Sequence, residues 1–215
     1  MKIVAARKIL KANDQIAEEN RARFTAAGLF GVNLVGSPGC GKTTLLEALF
    51  ERLRGRLAPA VIEGDIASSI DAERIAALEV PVVQINTDGA CHLDANMVAA
   101  ATSDLDLDNL DLLVIENVGN LVCTAGFDLG EHLRIVVLSV TEGDDKIAKY
   151  PAIFQGSHAL VITKTDVMEH TDFSAQRVVA DMKHLVPNAE VFQVSALAGD
   201  GIPEAADWLA AKCSG

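Results

Sequence analysis

Residues Gly36-Ser37-Pro38-Gly39-Cys40-Gly41-Lys42-Thr43 fit the pattern G-x-x-x-x-G-K-[ST], and the sequence on either side restricts the fold that can hold them. Ahead of them lies an apolar run, Leu29-Phe30-Gly31-Val32-Asn33-Leu34-Val35, which reads as a buried strand. Behind them, Thr44-Leu45-Leu46-Glu47-Ala48-Leu49-Phe50 reads as a helix with Leu45, Leu46, Leu49 and Phe50 on one side. Strand, glycine-rich loop and helix N-terminus in succession form a phosphate cradle. Backbone N–H groups and the positive end of the helix surround the phosphates, Lys42 reaches the β/γ oxygens, and Thr43 can hold Mg²⁺. Gly36–Thr44 is therefore the candidate loop for a nucleoside triphosphate.

A chain of 215 residues suits one α/β domain with a core large enough to fold unaided. Half of the residues are hydrophobic, which excludes disorder as the main state, and with only 4% aromatics the core must be built from Ala, Val, Ile and Leu. A net charge of −12 argues against a general nucleic-acid binder, which needs a basic face. No apolar run approaches the ~18–20 residues of a membrane span. Met1-Lys2-Ile3-Val4-Ala5-Ala6-Arg7-Lys8 is too broken by charge for a signal peptide. A cytoplasmic location is expected, so the four cysteines are reduced thiols, suited to metal binding or to inert burial.

From about Lys8 to Ala27 the chain is polar and helix-prone, with Ile9, Leu10, Ile16 and Phe24 along one side. This predicts an N-terminal helical extension over residues 1–28, outside a nucleotide domain over 29–215. Apolar strands then alternate with helical stretches: Ala60-Val61-Ile62, Val80–Ile85, Leu112–Ile115, Ile135–Leu138, Leu160–Ile162 and Val191–Val194. Continuous apolar strands separated by helices predict an α/β P-loop NTPase fold with a mostly parallel sheet covered on both faces.

The stretch Leu160-Val161-Ile162-Thr163-Lys164-Thr165-Asp166 resembles the guanine motif N-K-x-D, with Thr163 in place of Asn. A carboxylate at Asp166 can accept from guanine N1–H and the exocyclic amine together, whereas adenine presents an acceptor at N1. The Lys164 stem can cover the base. Thr163 keeps a hydroxyl but loses an amide, so a weaker brace between base loop and phosphate loop is expected. One strand later, Val194-Ser195-Ala196-Leu197 resembles the element whose backbone N–H contacts guanine O6. The pair favours GTP over ATP. Two acidic strand ends complete the Mg²⁺ reading: Glu63-Gly64-Asp65, and Glu116-Asn117-Val118-Gly119 as E-x-x-G. Asp65 and Glu116 are candidates for Mg²⁺ or its water shell, and with Lys42 for the catalytic set; the alternative is that the acids face solvent. With no Gln placed to orient water, slow hydrolysis is expected.

A second chemistry lies in Asn86-Thr87-Asp88-Gly89-Ala90-Cys91-His92-Leu93-Asp94 and in Cys123 of Gly119-Asn120-Leu121-Val122-Cys123. Thiolate and imidazole suit Ni²⁺ or Zn²⁺, and adjacent Cys91 and His92 can converge on one ion only in a loop. Two or three ligands per chain leave an ion under-coordinated, as in a transfer site or one shared between subunits. Spacing alone equally fits a buried Cys and a surface His. Cys40 reads as a small filler in the phosphate loop, and Cys213 as incidental.

GSPGCGKTTLL at 36–46, IEGDIASSIDAERI at 62–75, QINTDGACHLDA at 84–95, VIENVGNLVC at 114–123, FDLGE at 127–131, SVTEGDDK at 139–146 and KTD at 164–166 together resemble the hydrogenase nickel-incorporation GTPase family, HypB. The resemblance implies a dimerising P-loop GTPase that binds GTP/GDP and Mg²⁺ and delivers Ni²⁺ to a [NiFe]-hydrogenase large-subunit precursor, with a HypA-like nickel chaperone as partner. It puts the metal ligands on Cys91, His92 and Cys123, the phosphate-loop pair on Lys42 and Thr43, and the guanine-specific acid on Asp166. Some members carry a Cys-rich or His-rich N-terminal nickel site; residues 1–39 contain neither Cys nor His. The urease accessory GTPase UreG shares the plan and a Cys/His pair, but CHLDA and GNLVC favour the hydrogenase type. A small-molecule phosphotransferase would need an acceptor lid, for which no long Arg-rich insertion is present. The remaining alternative is a nucleotide-gated metal-binding module with negligible hydrolysis.

Overall fold

All seven apolar runs become strands of a single sheet. The computed structural model describes residues 4–66 and 68–214, with side chains from residue 10 onward. The strands are β1 (Phe30–Gly36), β2 (Pro59–Asp65), β3 (Val82–Asn86), β4 (Leu112–Glu116), β5 (Leu133–Ser139), β6 (Ala159–Thr163) and β7 (Glu190–Gln193). They pair in parallel in the order β3-β2-β4-β1-β5-β6-β7. β1 is central, and the chain moves to one side of it for β2 and β3 and to the other for β5 to β7. Such a reversal opens a crevice at the carboxyl ends of the strands, where α/β sheets bind ligands. The phosphate loop leaves β1 at that point.

Both faces are covered by helices, as continuous apolar strands require. On one face α2 (Lys42–Leu53), α3 (Ile70–Ala76) and α8 (Ile202–Cys213) pack Leu45, Leu46, Leu49, Phe50, Ile75 and Leu209 onto Val32, Leu34 and Val114. The other face carries α1 (Val4–Ala26) and α4 (Ala95–Ala101) over β2 and β4. It also carries α5 (Lys146–Lys149), α6 (Pro151–Gln155) and α7 (Ala175–Leu185) over β5 and β6. Between its two apolar clusters runs a buried polar seam of Asn33, Asn117, Glu131 and Arg134. Asn33 donates to Glu131 (3.1 Å) and accepts from Asn117 (3.3 Å), and Arg134 donates to the same Glu131 Oε1 (2.7 Å).

Helix α1 starts earlier than the expected Lys8, and its buried stripe is Asn13, Ala17, Asn20 and Phe24, with Ile16 half-buried beside them. Leu10 is 37% exposed, and the side chain of Ile9 lies outside the described residues. The two asparagines fasten the helix. Asn13 Nδ2 donates to Asp128 O (2.8 Å) and its Oδ1 accepts from Ala95 N (2.9 Å). Asn20 Nδ2 donates to Ala95 O (2.8 Å) and Leu129 O (3.1 Å). Among the described residues no helix is long and apolar enough to cross a membrane.

Candidate functional site

The phosphate loop is built to leave donors unpaired. Gly41, in the left-handed region at φ 94°, is the N-cap of α2 and offers no side-chain cap, so the first N–H groups of the helix face the crevice. Lys42 is buried at 8% exposure, with Nζ 3.9 Å from Glu116 Oε1. Thr43 Oγ1 donates to the same oxygen at 2.9 Å. Thr44 instead faces α3, accepting from Arg74 at 2.9 Å. Cys40 is buried in the core, and burial pushes its thiol up to about 11, which makes it a packing group.

Glu116 ends β4, and the register sets it directly beside Glu63 of β2. Both side chains are buried, and Oε2 of each lacks a hydrogen-bond partner. Burial, with the Glu116 carboxyl alongside, pushes Glu63 up to about 10. Burial also raises Glu116, against the pull of Lys42. Two orphaned carboxyl oxygens beside a threonine hydroxyl are hard donors at the place where a triphosphate's oxygens would lie, and they fit Mg²⁺. Asp65, the acid expected here, lies two residues beyond Glu63. Its Oδ1 accepts from Ile66 N, and among the described residues it makes no hydrogen bond to Lys42 or Thr43.

At the base end, Thr163 does not leave the brace weak as expected. Its hydroxyl donates to Cys40 O at 2.6 Å, and Lys164 Nζ donates to Gly39 O at 2.7 Å, so β6 is tied to the phosphate loop twice. Lys164 achieves this from a left-handed backbone at φ 59°, a conformation uncommon outside glycine. Asp166 is exposed, with Oδ1 accepting from the buried Ser195 hydroxyl at 2.7 Å. The Ser195 hydroxyl in turn accepts from Ala198 N (3.1 Å). Ala196 is half-buried and Leu197 is 87% exposed at the rim.

The thiol site forms in part. The Cys123 thiol is raised, with the nearby Cys91 thiol as the leading cause. Cys91 Sγ is 3.7 Å from His92 Nδ1, while the His92 ring stacks on Phe127 with centroids 3.9 Å apart. Among the described residues no three His, Cys, Asp or Glu side chains are gathered closely enough to hold an ion. One chain thus brings together a thiol pair, and an aromatic ring holds the imidazole.

Residues 31–193 match the CobW/HypB/UreG nucleotide-binding domain family. The hydrogenase maturation factor HypB of Azotobacter vinelandii is 51% identical over 94% of this chain, which spans 66% of that protein's length. HypB of Escherichia coli is 45% identical over 94% of this chain and 69% of its own length. The crystal structure of HypB from Helicobacter pylori in complex with nickel matches with a TM-score of 0.90 at 39% identity, covering 94% of this chain and 95% of that one. This chain belongs to the HypB family.

Within this HypB-family chain the structure adds residues that motif reading passed over. Glu63 was legible as an acid inside an apolar strand, but its partner is set by the β2–β4 register. Asn117 Oδ1 accepts from Leu93 N (3.2 Å) and Val118 N (3.0 Å), tying the Cys91-His92 loop to the end of β4. Asn120 does the same for Cys123, and Phe127 for His92. These residues sit in the strings that carry the resemblance, yet no spacing rule pairs Glu63 with Glu116, Asn117 with Leu93 or Phe127 with His92 across 24 or more positions.

Proposed function

We propose that the chain is a GTP-hydrolysing metallochaperone that assists nickel insertion into a [NiFe]-hydrogenase precursor. A helical strap over residues 1–28 accompanies its GTPase domain over 29–215. The observation that carries this reading is the segment from Glu116 to Cys123: its first residue accepts a hydrogen bond from Thr43 of the phosphate loop, and its last is a thiol whose leading electrostatic neighbour is Cys91. Nucleotide chemistry and a thiol site share one short stretch of chain. The nickel bound to the Helicobacter pylori relative supports the choice of cargo.

In the nucleotide reaction the α2 N-terminus and the loop N–H groups hold the phosphates. The Lys42 ammonium offsets charge on the β/γ oxygens. Thr43 and Glu116, with Glu63 behind them, would hold Mg²⁺, which when bound neutralises phosphate charge as the γ-group leaves. Asp65 belongs at the edge of this set, in reach of the water shell. Asp166, Lys164 and the backbone of Ser195–Leu197 select guanine. With no Gln standing out to orient the attacking water, hydrolysis to GDP and phosphate is slow and acts as a timer.

The cargo is Ni²⁺, with Zn²⁺ a competitor for the same thiolates. Cys91, Cys123 and His92 supply the ligands. An ion left under-coordinated by one chain suits either a homodimer sharing it or handover to and from a HypA-like partner. Metal affinity and nucleotide state are then linked reciprocally. The test measures nucleotide and metal content of the purified protein beside its mass in solution with GDP and with a GTP analogue. Guanine nucleotide, thiol-bound metal and a mass that doubles with the analogue are expected; bound adenine nucleotide would overturn the reading.

A further inference from the structure

The two halves of the thiol site are fastened very differently. Cys91 and His92 lead into Leu93, which is fully buried and whose N–H donates to Asn117. Asn117 belongs to the polar seam through Asn33 and Glu131, and Asp94 caps α4 through Met97 N at 2.8 Å. The bonds from Leu93 through Asn117 and Asn33 to Glu131 are all buried, so moving this half means breaking bonds where water cannot replace them.

Cys123 opens a turn that Arg134 holds only at its far side, through Ala125 O (3.3 Å) and Phe127 O (2.7 Å). The near side is anchored by Leu121, buried in the apolar cluster over β5 and β6, and its polar groups hang on Asn120. Asn120 Oδ1 accepts from Val122 N (2.7 Å) and Cys123 N (2.8 Å), and its carbonyl accepts from the buried Thr124 hydroxyl (2.6 Å). Val122 is 64% exposed, so no apolar packing holds its side chain there. The N–H of the same Asn120 donates to Gly36 O, the first residue of the phosphate loop, at 2.9 Å. At Gly119 a side chain is impossible: a Cβ there would lie 2.8 Å from both Pro38 N and Cα. Backbone rests directly on backbone.

We propose that Asn120 is the positioning residue that carries the state of the phosphate loop to Cys123, moving this thiol relative to the fixed Cys91-His92 half. The inference rests on the nickel-GTPase reading and names the residue through which its two sites are coupled. A shift of Gly36–Gly39 on accommodating a γ-phosphate reaches Gly119 by contact and Asn120 by its main-chain hydrogen bond. The carboxamide passes it to the Cys123 backbone. Removing the carboxamide leaves the main-chain bond to Gly36 intact, so nucleotide binding and thiol positioning come apart.

Ni²⁺ titration followed by thiolate-to-metal charge-transfer absorption, with GDP and with a non-hydrolysable GTP analogue, tests this. In the unaltered protein the two nickel affinities are expected to differ by about fivefold or more. Asn120→Ala should bring that ratio to within about twofold of unity while GDP affinity stays within about threefold, by the same coupling arithmetic. Asn120→Asp keeps the acceptor oxygen and should keep the ratio, even where its charge raises affinity in both states. Should Asn120→Ala fail to fold, Asn120→Gln, whose acceptor is displaced by one methylene, should lose the ratio instead. A wild-type ratio in Asn120→Ala, or loss of it in Asn120→Asp, would overturn the role of Asn120 alone. Equal affinities in the unaltered protein would overturn the coupling in the functional reading itself.

Discussion

Ser195 holds one edge of the Asp166 carboxylate, which leaves the outward oxygen and the remaining lone pairs to meet a base. Asp166→Asn removes the charge from that bidentate contact, and hydrogen bonds to a charged group are worth about 1.5–3 kcal/mol. GTP affinity is therefore expected to fall by roughly 10–150-fold while the phosphate loop still binds triphosphate. Isothermal titration with GTP and ATP checks it; an unchanged preference for GTP sinks the assignment of Asp166. Cys123→Ala removes a proposed ligand but touches no phosphate contact. Losing even a group that only orients a ligand costs metal sites about 10–100-fold, so at least that loss of nickel affinity is expected, with GDP affinity unchanged.

Two histidines make a residue-level prediction about pH. His132 Nδ1 accepts from Gly31 N (2.9 Å) and His158 Nδ1 accepts from Arg134 N (3.0 Å). Burial lowers both below the ordinary value of 6.5. In the unfolded chain both take up a proton near that value, whereas in the fold they resist it. Their contribution to stability is complete above about pH 6.5 and is lost as pH falls toward the folded values. Thermal midpoints should drop on going from pH 7.5 to 5.5, and less steeply in His158→Asn, whose amide oxygen can accept without titrating. An equally steep drop in that variant would assign the effect elsewhere.

At the scale of elements, the alternation of apolar runs and helices already specified seven strands, and each appears within a few residues of its expected place. Helix α1 was legible as a helix but its seat was not. Hydrophobic residues were expected to mark its inner side, yet two of the four buried side chains described on it are asparagines. Polarity misled there because Asn13 and Asn20 find carbonyls and an N–H on segments more than 70 positions away. Asn20→Ala strands Ala95 O and Leu129 O without that donor, at a cost of about 1–3 kcal/mol, measurable as a lower urea midpoint. At the other end of the same face, Gly119→Ala forces its Cβ into the Pro38 backbone. Weakened nucleotide binding is expected from that single methyl, together with a lower thermal midpoint in the absence of nucleotide, because the Pro38 backbone must shift to admit it. Unaltered GTP affinity would show that the contact is dispensable.

Taken as a whole molecule, the chain could be assigned to a nucleotide-binding α/β fold because phosphate-loop chemistry is local. Gly36–Thr43 needs only the strand before it and the helix after it, and all three are contiguous. The motif proposed to select guanine was legible for a similar reason, since Thr163–Asp166 is one strand end. The fold alone decided what meets across the sheet. Parallel register set Glu63 against Glu116, the acid that accepts from Thr43, and the segment after β4, folded onto the phosphate loop, brought Cys123 near Cys91. Hydrophobic pattern reports which way a residue faces, whereas pairing between polar groups depends on chain segments brought together only by closing the core. A buried hydrogen bond leaves no periodicity behind it, so Asn117 and Asn120 could be read as letters of a motif but not as the links between its two sites.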